Sequence, residues 1–164
     1  MNFSTPSFEN KIINPEDLLN QITKIKQQSP LVFTNGCFDI LHRGHVTYLA
    51  QARSLGNSLI VALNTDSSVK RQNKGDDRPI NSESNRLAVI ASLESVSFVT
   101  MFDEDTPLEL IKLIKPDVLV KGGDWSVERI VGYKEVLNYG GSVYSIPFLY
   151  ATSTTKLIDK IRHD

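Results

Sequence analysis

The sequence predicts a three-layer α/β/α Rossmann-like domain with a five-stranded parallel sheet. Short apolar segments of strand length alternate along the chain with amphipathic segments of helix length. This alternation is typical of crossover units, which build a parallel sheet covered by helices on both faces. With 164 residues, of which 40% are apolar, one domain with a substantial core is expected. We divide the chain into a leader and N-terminal helix, 1–29, and the α/β domain, 30–164.

The elements follow in order from start and stop signals. Residues 1–14 are polar and predict a loose leader, and Asn14 followed by Pro15 marks a helix start. That helix ends before Pro30, the next predicted helix is closed by Gly56, and the polar segment 67–81 is predicted as a loop. Strands are expected at 31–34, 58–63, 97–102, 118–120 and 142–146, and further helices at 43–55, 84–93, 107–115, 133–139 and 153–161.

Composition excludes several classes of protein. The net charge of −1 provides no broad basic surface, so nucleic-acid binding is disfavoured. Cys37 is the only cysteine, which rules out an intramolecular disulfide and makes a cytoplasmic location the default. Residues 1–7 lack the features of a signal peptide, and no segment has the roughly 20 apolar residues that cross a bilayer.

The segment after the first strand contains the highest concentration of candidate functional residues. Residues 35–45 contain two glycines, one acid and two histidines, at the strand end where ligands bind in such sheets. His42 and His45 are three residues apart and share one face of a helix start, where free N–H groups favour phosphate. Gly44 between them allows close approach of a ligand. The spacing therefore predicts a phosphate site in which the imidazoles stabilise phosphoryl charge.

A metal site is the alternative for the two histidines. It needs further ligands; Asp39 is available, whereas His163 near the C-terminus is an unlikely fourth. We therefore predict no metal held by the protein alone. Cys37 is interpreted as a small packed residue of the loop rather than a nucleophile.

Other strand ends supply further candidates. Asp66 follows the second strand, at a position suited to hold substrate hydroxyls or to help orient a metal ion. Lys121, Gly122, Gly123, Asp124 and Trp125 follow the fourth strand; the glycines permit close approach of a ligand, and Trp125 is placed to pack near a base. A tight turn is the structural alternative. Ser153 is predicted to cap the last helix.

These motifs resemble a known family. Gly36-Cys37-Phe38-Asp39 followed by His42-Arg43-Gly44-His45 resembles the G-x-F-D-x-x-H-x-G-H signature of cytidylyltransferase-like nucleotidyltransferases, and Ser153-Thr154-Thr155 resembles their second signature. Within the family, the adenylyltransferase domain that makes ADP-heptose for bacterial lipopolysaccharide biosynthesis is similar in three segments. These are 34–42, 74–79 (Lys-Gly-Asp-Asp-Arg-Pro) and 117–125.

The resemblance implies a direct transfer from ATP to a sugar 1-phosphate, without a covalent enzyme intermediate. Catalytic residues would be His42, His45, Lys74, Arg86 and Thr154. The acceptor would contact Asp39, Asp66, Arg86 and Lys121. The nucleotide would contact Cys37, Phe38, His42, Gly44, His45, Lys74, Gly122, Asp124, Trp125, Ser153, Thr154 and Thr155.

The resemblance also implies cofactors and partners. Mg²⁺ is expected with ATP, held mainly by phosphate oxygens and water. A separate heptose kinase would supply the acceptor, and a homodimer is expected because relatives dimerise. Two other functions stay open: a cytidylyltransferase acting on glycerol 3-phosphate or a phospho-amino alcohol, and a nucleotide-binding module without turnover.

The chain departs from the family pattern before the second signature. Tyr150-Ala151-Thr152 stands where relatives have an acid and a glycine, in a loop that borders the nucleotide. Phe148 stands where glycerol-phosphate cytidylyltransferases carry an arginine, and its apolar side chain resembles the heptose branch. The choice of adenine over cytosine therefore rests on relatedness alone.

Overall fold

The computed structural model describes residues 4–72, 77–150 and 152–163. Five parallel strands form one sheet in the order β3-β2-β1-β4-β5, which confirms the predicted sheet. The strands are β1 (Leu31–Gly36), β2 (Ser58–Asn64), β3 (Phe98–Phe102), β4 (Val118–Gly122) and β5 (Ser142–Ile146). The α-helices are α1 (Pro15–Lys26), α2 (Arg43–Arg53), α3 (Asp66–Arg71), α4 (Glu83–Ala91), α5 (Leu108–Ile114), α6 (Tyr133–Asn138) and α7 (Thr154–His163).

Two predictions about irregular segments were wrong. The leader is not loose: residues Ser7–Lys11 form a 3-10 helix, Ile12 bridges to Val99 of β3, and Ile13 is buried. The start of the segment predicted as a loop is instead α3, capped by the Thr65 hydroxyl, which accepts from the Ser68 N–H. The helix is too short to show a clear apolar period, so the cap was its only sequence signal.

The core lies on both faces of the sheet, as alternating side chains of buried strands require. On one face Val32 of β1 packs with side chains of α2 and α4, including Leu49 and Ile90. On the other face Phe33 packs with α1 and α5, including Leu18 and Ile111. The N-terminal helix is thus part of the same core as the rest of the domain.

The strand order changes direction at β1, which lies between β2 and β4. In open parallel sheets this switch point creates a crevice at the carboxyl ends of the strands, where ligands bind. The loop from Cys37 to His42, between β1 and α2, therefore lies in the expected position for a site. None of the helices in the described segments is both long and apolar enough to cross a membrane.

Candidate active site

The two histidines stack at the start of α2. His42 is the N-cap residue and His45 lies in the first turn, and their ring centroids are 3.8 Å apart with an interplanar angle of 22°. The Phe38 ring meets His45 edge-on, with centroids 5.3 Å apart. The spacing of three residues thus places both imidazoles together at a helix N-terminus, as predicted.

Burial keeps both imidazoles neutral at physiological pH. Desolvation lowers the pKa of His42, and desolvation with the neighbouring His42 ring lowers the pKa of His45 to about 4. The Nδ1 atoms of both rings are buried and have no hydrogen-bond partner in the described segments. A neutral imidazole has one N–H donor and one acceptor nitrogen, so the pair offers hydrogen bonds rather than fixed positive charge.

Glycine spacing in the motif makes room for these rings. A Cβ on Gly44 would lie 3.0 Å from Nδ1 of His42, and a Cβ on Gly36 would lie 2.9 Å from the Phe38 ring. Phe38 has a φ of 48°, in the left-handed region that costs a bulky residue energy. Gly44 is therefore needed for packing of the His42 ring, in addition to the ligand approach that the sequence predicted.

The start of α7 completes a polar cavity beside His45. The cavity has a volume of about 320 Å³ and is lined by Cys37, Phe38, Asp39, His45, Arg78, Thr154 and Thr155. The Thr154 hydroxyl donates to the carbonyl of Ile40 at 3.2 Å, and the Ser153 hydroxyl caps α7 by accepting from the Lys156 N–H. Segments more than 100 residues apart in sequence therefore line one cavity.

The Asp39 carboxylate joins the loop between β1 and α2 to the segment before α4. Its carboxylate accepts from Nε of Arg78 at 2.6 Å and from the N–H groups of Ile80 and Asn81 at 2.9 and 2.8 Å. Both partners of the ion pair are buried, with side-chain exposures of 0% for Asp39 and 8% for Arg78. The structure thus gives the Asp39 carboxylate a positioning role, and direct contact with an acceptor stays a prediction.

The Arg86 guanidinium also binds other groups of the protein itself. Its guanidinium donates to the carbonyls of Cys37, Asn64 and Asn81 and to the Asp66 carboxylate, at 2.7 to 3.1 Å. The Arg86 side chain is fully buried, whereas the Asp66 side chain is 33% exposed. Arg86 therefore joins the ends of β1 and β2 and does not face open solvent, and only Asp66 of this pair is accessible to a ligand.

The segment after β4 lies apart from the histidine cavity. Trp125 is 52% exposed, and its indole N–H donates to the Gly122 carbonyl at 3.0 Å. A Cβ on Gly122 would lie 2.8 Å from the Phe148 ring, so this glycine is needed for packing. Lys121 donates to the Asn35 carbonyl at 3.3 Å, and Asp124 is exposed.

The unusual loop before α7 packs against the start of α2. The Arg43 guanidinium lies over the Tyr150 ring, 4.0 Å from its centroid, and the Tyr150 carbonyl lies 3.5 Å from a Cβ built on Gly44. Tyr150 thus provides a cation–π contact beside the start of α2. Ala151 and Lys74 lie outside the described residues.

Sequence reasoning missed two buried groups that shape the site. Arg78 was noted only as part of a resembling segment, although a buried arginine needs a carboxylate partner and Asp39 was available. Tyr48 of α2 shares a 2.5 Å hydrogen bond with Thr34 and donates to the Val120 carbonyl. The signal for Tyr48 was a hydroxyl on the apolar face of a helix, which must find a polar partner.

Metal ligands are not clustered in the described segments: no three His, Cys, Asp or Glu side chains are grouped to hold an ion. The Asp39 carboxylate is occupied by Arg78 and two N–H groups. The donor set fits Mg²⁺ that arrives on a triphosphate, because such an ion is held mainly by phosphate oxygens and water.

Comparisons with known proteins agree with this geometry. The family described as cytidylyltransferase-like matches residues 33–159. The D-beta-D-heptose 1-phosphate adenylyltransferase of Bordetella bronchiseptica is 50% identical over 159 residues, which cover 97% of this chain and 98% of that protein. The bifunctional protein HldE of Marinomonas sp. is 53% identical over 151 residues, 91% of this chain. The chain spans only 31% of that relative.

Solved structures show the same fold. The lipopolysaccharide core biosynthesis protein from Thermoplasma volcanium has a TM-score of 0.61 and 29% identity, covering 74% of this chain and 98% of that chain. Pantoate-beta-alanine ligase from Francisella tularensis has a TM-score of 0.59 and covers 93% of this chain and 79% of that chain. Its identity is 16%, so this likeness concerns the fold alone.

Replacing Asp39 with alanine is expected to lower the free energy of unfolding by about 3–5 kcal/mol, because Arg78 would stay buried without its partner. Glu109→Ala is the matched control: it removes an exposed ion pair with Lys112 and should cost at most about 1 kcal/mol. Urea unfolding followed by circular dichroism measures both. A loss below 1 kcal/mol for Asp39→Ala would show that the pair does not hold the loop.

The imidazole of His45 is expected to titrate near pH 4 in the free protein and at a higher pH with a bound nucleoside triphosphate, because an anion favours the protonated ring. Its pKa lies below the unfolded value of 6.5, so its contribution to stability is present above pH 6.5 and is lost as pH falls towards 4. Ring-proton NMR measures the titration, with His45→Gln assigning the signal. A pKa near 6.5 with or without nucleotide would contradict the proposed environment.

Proposed function

The chain belongs to the cytidylyltransferase-like family, and on this premise we propose that it transfers an adenylyl group from ATP to D-glycero-D-manno-heptose 1-phosphate. The products are ADP-heptose, a precursor for lipopolysaccharide, and pyrophosphate. Support for this substrate pair comes from the 50% identity to a D-beta-D-heptose 1-phosphate adenylyltransferase over nearly the whole of both chains.

One observation carries the proposal for the reaction type. Two neutral imidazoles stack at the N-terminus of α2, and His45 shares a polar cavity with Thr154 and Thr155. Donors grouped at a helix N-terminus bind phosphate, and hydroxyl groups at the start of a second helix line the same cavity. The arrangement suits a direct displacement at phosphorus.

In the proposed step, an oxygen of the sugar phosphate attacks the α-phosphorus of ATP. The new P–O bond forms as the bond between the α-phosphorus and its bridging oxygen to the β-phosphate breaks, and pyrophosphate leaves with that electron pair. Transfers of this kind depend mainly on positioning and charge stabilisation. Mg²⁺, when bound with ATP, neutralises phosphate charge.

The described side chains would divide these tasks. His42 and His45 would donate ring N–H groups to phosphate oxygens, and the start of α7 would add hydroxyl and N–H donors from Ser153, Thr154 and Thr155. Cys37, Phe38 and Gly44 would form the wall beside the phosphates, and Lys74 would approach them as a cation. Arg86 and Asp39 act as positioning residues, since their polar atoms bind the loop itself.

Base and acceptor contacts complete the proposal. The segment from Gly122 to Trp125 would border the ribose and base with Asp124, and Asp66 would accept from acceptor hydroxyls. A separate kinase that supplies heptose 1-phosphate, a homodimer and a cytoplasmic location are parts of the same proposal. The bifunctional relatives support a functional link to a second enzyme activity.

Incubation with ATP or CTP, Mg²⁺ and a panel of phosphorylated acceptors tests the function. The panel contains heptose 1-phosphate, glucose 1-phosphate, glycerol 3-phosphate and a phospho-amino alcohol, and products are read by mass spectrometry and pyrophosphate release. We expect ADP-heptose as the main product. A cytidylyl product with glycerol 3-phosphate would replace the proposal, and nucleotide binding without pyrophosphate from any acceptor would indicate a module without turnover.

His45→Ala is expected to lower turnover by at least about 100-fold, the scale of losing one donor to transition-state charge. His163→Ala is the matched control, because His163 is exposed near the end of α7, and its turnover should be unchanged. Pyrophosphate release at saturating substrates measures both, and circular dichroism checks folding. Turnover of folded His45→Ala within threefold of the unchanged protein would remove His45 from the reaction.

A further inference from the structure

The backbone ladder between β1 and β4 ends before the two strands do. The strands pair only at Val32 with Val118 and at Phe33 with Leu119, yet β1 continues over residues 34–36 and β4 over residues 120–122. Their ladders with the outer strands β2 and β5 continue to these ends. The sheet is therefore open between the carboxyl ends of β1 and β4, at the crevice where ligands bind in such sheets.

The Tyr48 hydroxyl joins the two strands where their ladder has ended. Its oxygen lies 2.5 Å from Oγ1 of Thr34 on β1 and 3.3 Å from the carbonyl oxygen of Val120 on β4. A phenol has one proton, so Thr34 donates to Tyr48 when Tyr48 donates to Val120. Burial raises the pKa of Tyr48, which keeps that proton in place. One side chain thus replaces the backbone pairing between the strands.

A second link crosses the same crevice nearer to its mouth. Nζ of Lys121 lies 3.3 Å from the Asn35 carbonyl oxygen, and the lysine is half-buried. Tyr48 is 3% exposed, and Thr34 and Val120 are fully buried. A buried ring on a helix has fewer accessible rotamers than a half-buried lysine, so the Tyr48 link is the more rigid of the two.

The Tyr48 ring also packs against the end of β4. A Cβ built on Gly122 would lie 3.2 Å from Cε2 of Tyr48 and 2.8 Å from the Phe148 ring. The rings of Tyr48 and Phe148 meet edge-on, with centroids 5.7 Å apart. Gly122 begins the segment that we propose to border the ribose and base, so Tyr48 supports that wall directly.

Tyr48 connects this wall to the histidines through α2. It follows His45 by three residues on that helix, so the two side chains lie on the same face. His45 lines the cavity proposed for the phosphates, and Tyr48 holds the end of β4. The separation of the two ends of the proposed nucleotide site is therefore set within one turn of one helix.

We propose that Tyr48 is a positioning residue, whose hydroxyl fixes the width of the crevice between β1 and β4 for ATP. The proposal rests on the proposed function for the reaction and for the part of ATP that each wall binds. Tyr48 acts through Val120 and Gly122. Without its hydroxyl, ATP itself has to hold the two walls at the correct distance, and that cost weakens binding.

Tyr48→Phe removes the hydroxyl and keeps the ring, so it tests the link alone. We expect the KM for ATP, and the Kd of an ATP analogue with a methylene group between its α- and β-phosphates, to rise about fivefold, the scale of losing one hydrogen bond. The kcat should stay within about twofold, because bound nucleotide holds the walls in place. Pyrophosphate release with heptose 1-phosphate and titration calorimetry with Mg²⁺ measure these constants.

A second substitution separates positioning from stability. Tyr48→Phe leaves the buried Thr34 hydroxyl without this partner, which should lower the midpoint of urea unfolding. Adding Thr34→Val removes that hydroxyl at nearly constant shape, so the midpoint should recover part of its loss. The ATP affinity should stay weak, because the link to Val120 is still absent. The same limits apply to the double variant if Tyr48→Phe alone does not fold.

Tyr139→Phe is the matched control. Tyr139 follows α6, is 38% exposed and does not line the histidine cavity, so its loss of a hydroxyl should leave both constants unchanged. Values for Tyr48→Phe within about twofold of the unchanged protein, less than the loss of one hydrogen bond, would overturn the positioning role. Normal turnover of heptose 1-phosphate in that case would leave the proposed function standing.

The remaining outcomes also decide between the two proposals. Recovery of ATP affinity together with stability in the double variant would overturn the positioning role, because affinity would then follow stability. Absence of turnover by the unchanged protein, with analogue binding that depends on the Tyr48 hydroxyl, would retain the positioning role and remove the proposed function. Absence of both turnover and analogue binding would overturn both.

Discussion

The site depends on two buried arginines that fix the loop between β1 and α2. Arg86 binds the Cys37 carbonyl and the end of β2, and Arg78 binds the Asp39 carboxylate. A buried charge is costly unless it is paired and its donors are satisfied, so each arginine strongly disfavours other loop conformations. With the loop fixed, Phe38 keeps its left-handed backbone and His42 reaches the N-cap position of α2.

Rigidity of this loop has an electrostatic consequence for the imidazoles. Packing His45 against Phe38 and His42 removes water from its ring and lowers its pKa to about 4. A neutral donor costs less to hold in a dry site than a charged one. The two histidines therefore offer directed hydrogen-bond donors rather than fixed positive charge.

Strong periodic elements and capped helix starts were predictable, and buried polar contacts were not. All five strands were predicted within two residues of their ends, because apolar runs bounded by turns leave few alternatives. The short α3 has one capping hydroxyl as its signal. The 3-10 helix before α1 is held by tertiary contacts, since Lys11 donates to the Leu93 carbonyl and Ile12, the next residue, bridges to Val99 of β3. At the site, the spacing of His42 and His45 predicted that both lie at a helix start, which the structure shows, whereas Thr154 was named from the family resemblance alone. Arg86 was chosen as a ligand-facing residue, yet its guanidinium points into the framework, since sequence alone cannot assign a side chain to one side of a loop.

Strand order explains why the site lies at the loop between β1 and α2. Because β1 lies between β2 and β4, the crossover helix to β2 covers one face and the crossover helix from β3 to β4 covers the other. The starts of these two helices, α2 and α5, therefore face the same strand end from opposite sides. The strand ends at this switch are therefore open between the two helix layers, and a ligand can lie across them without any movement of the core.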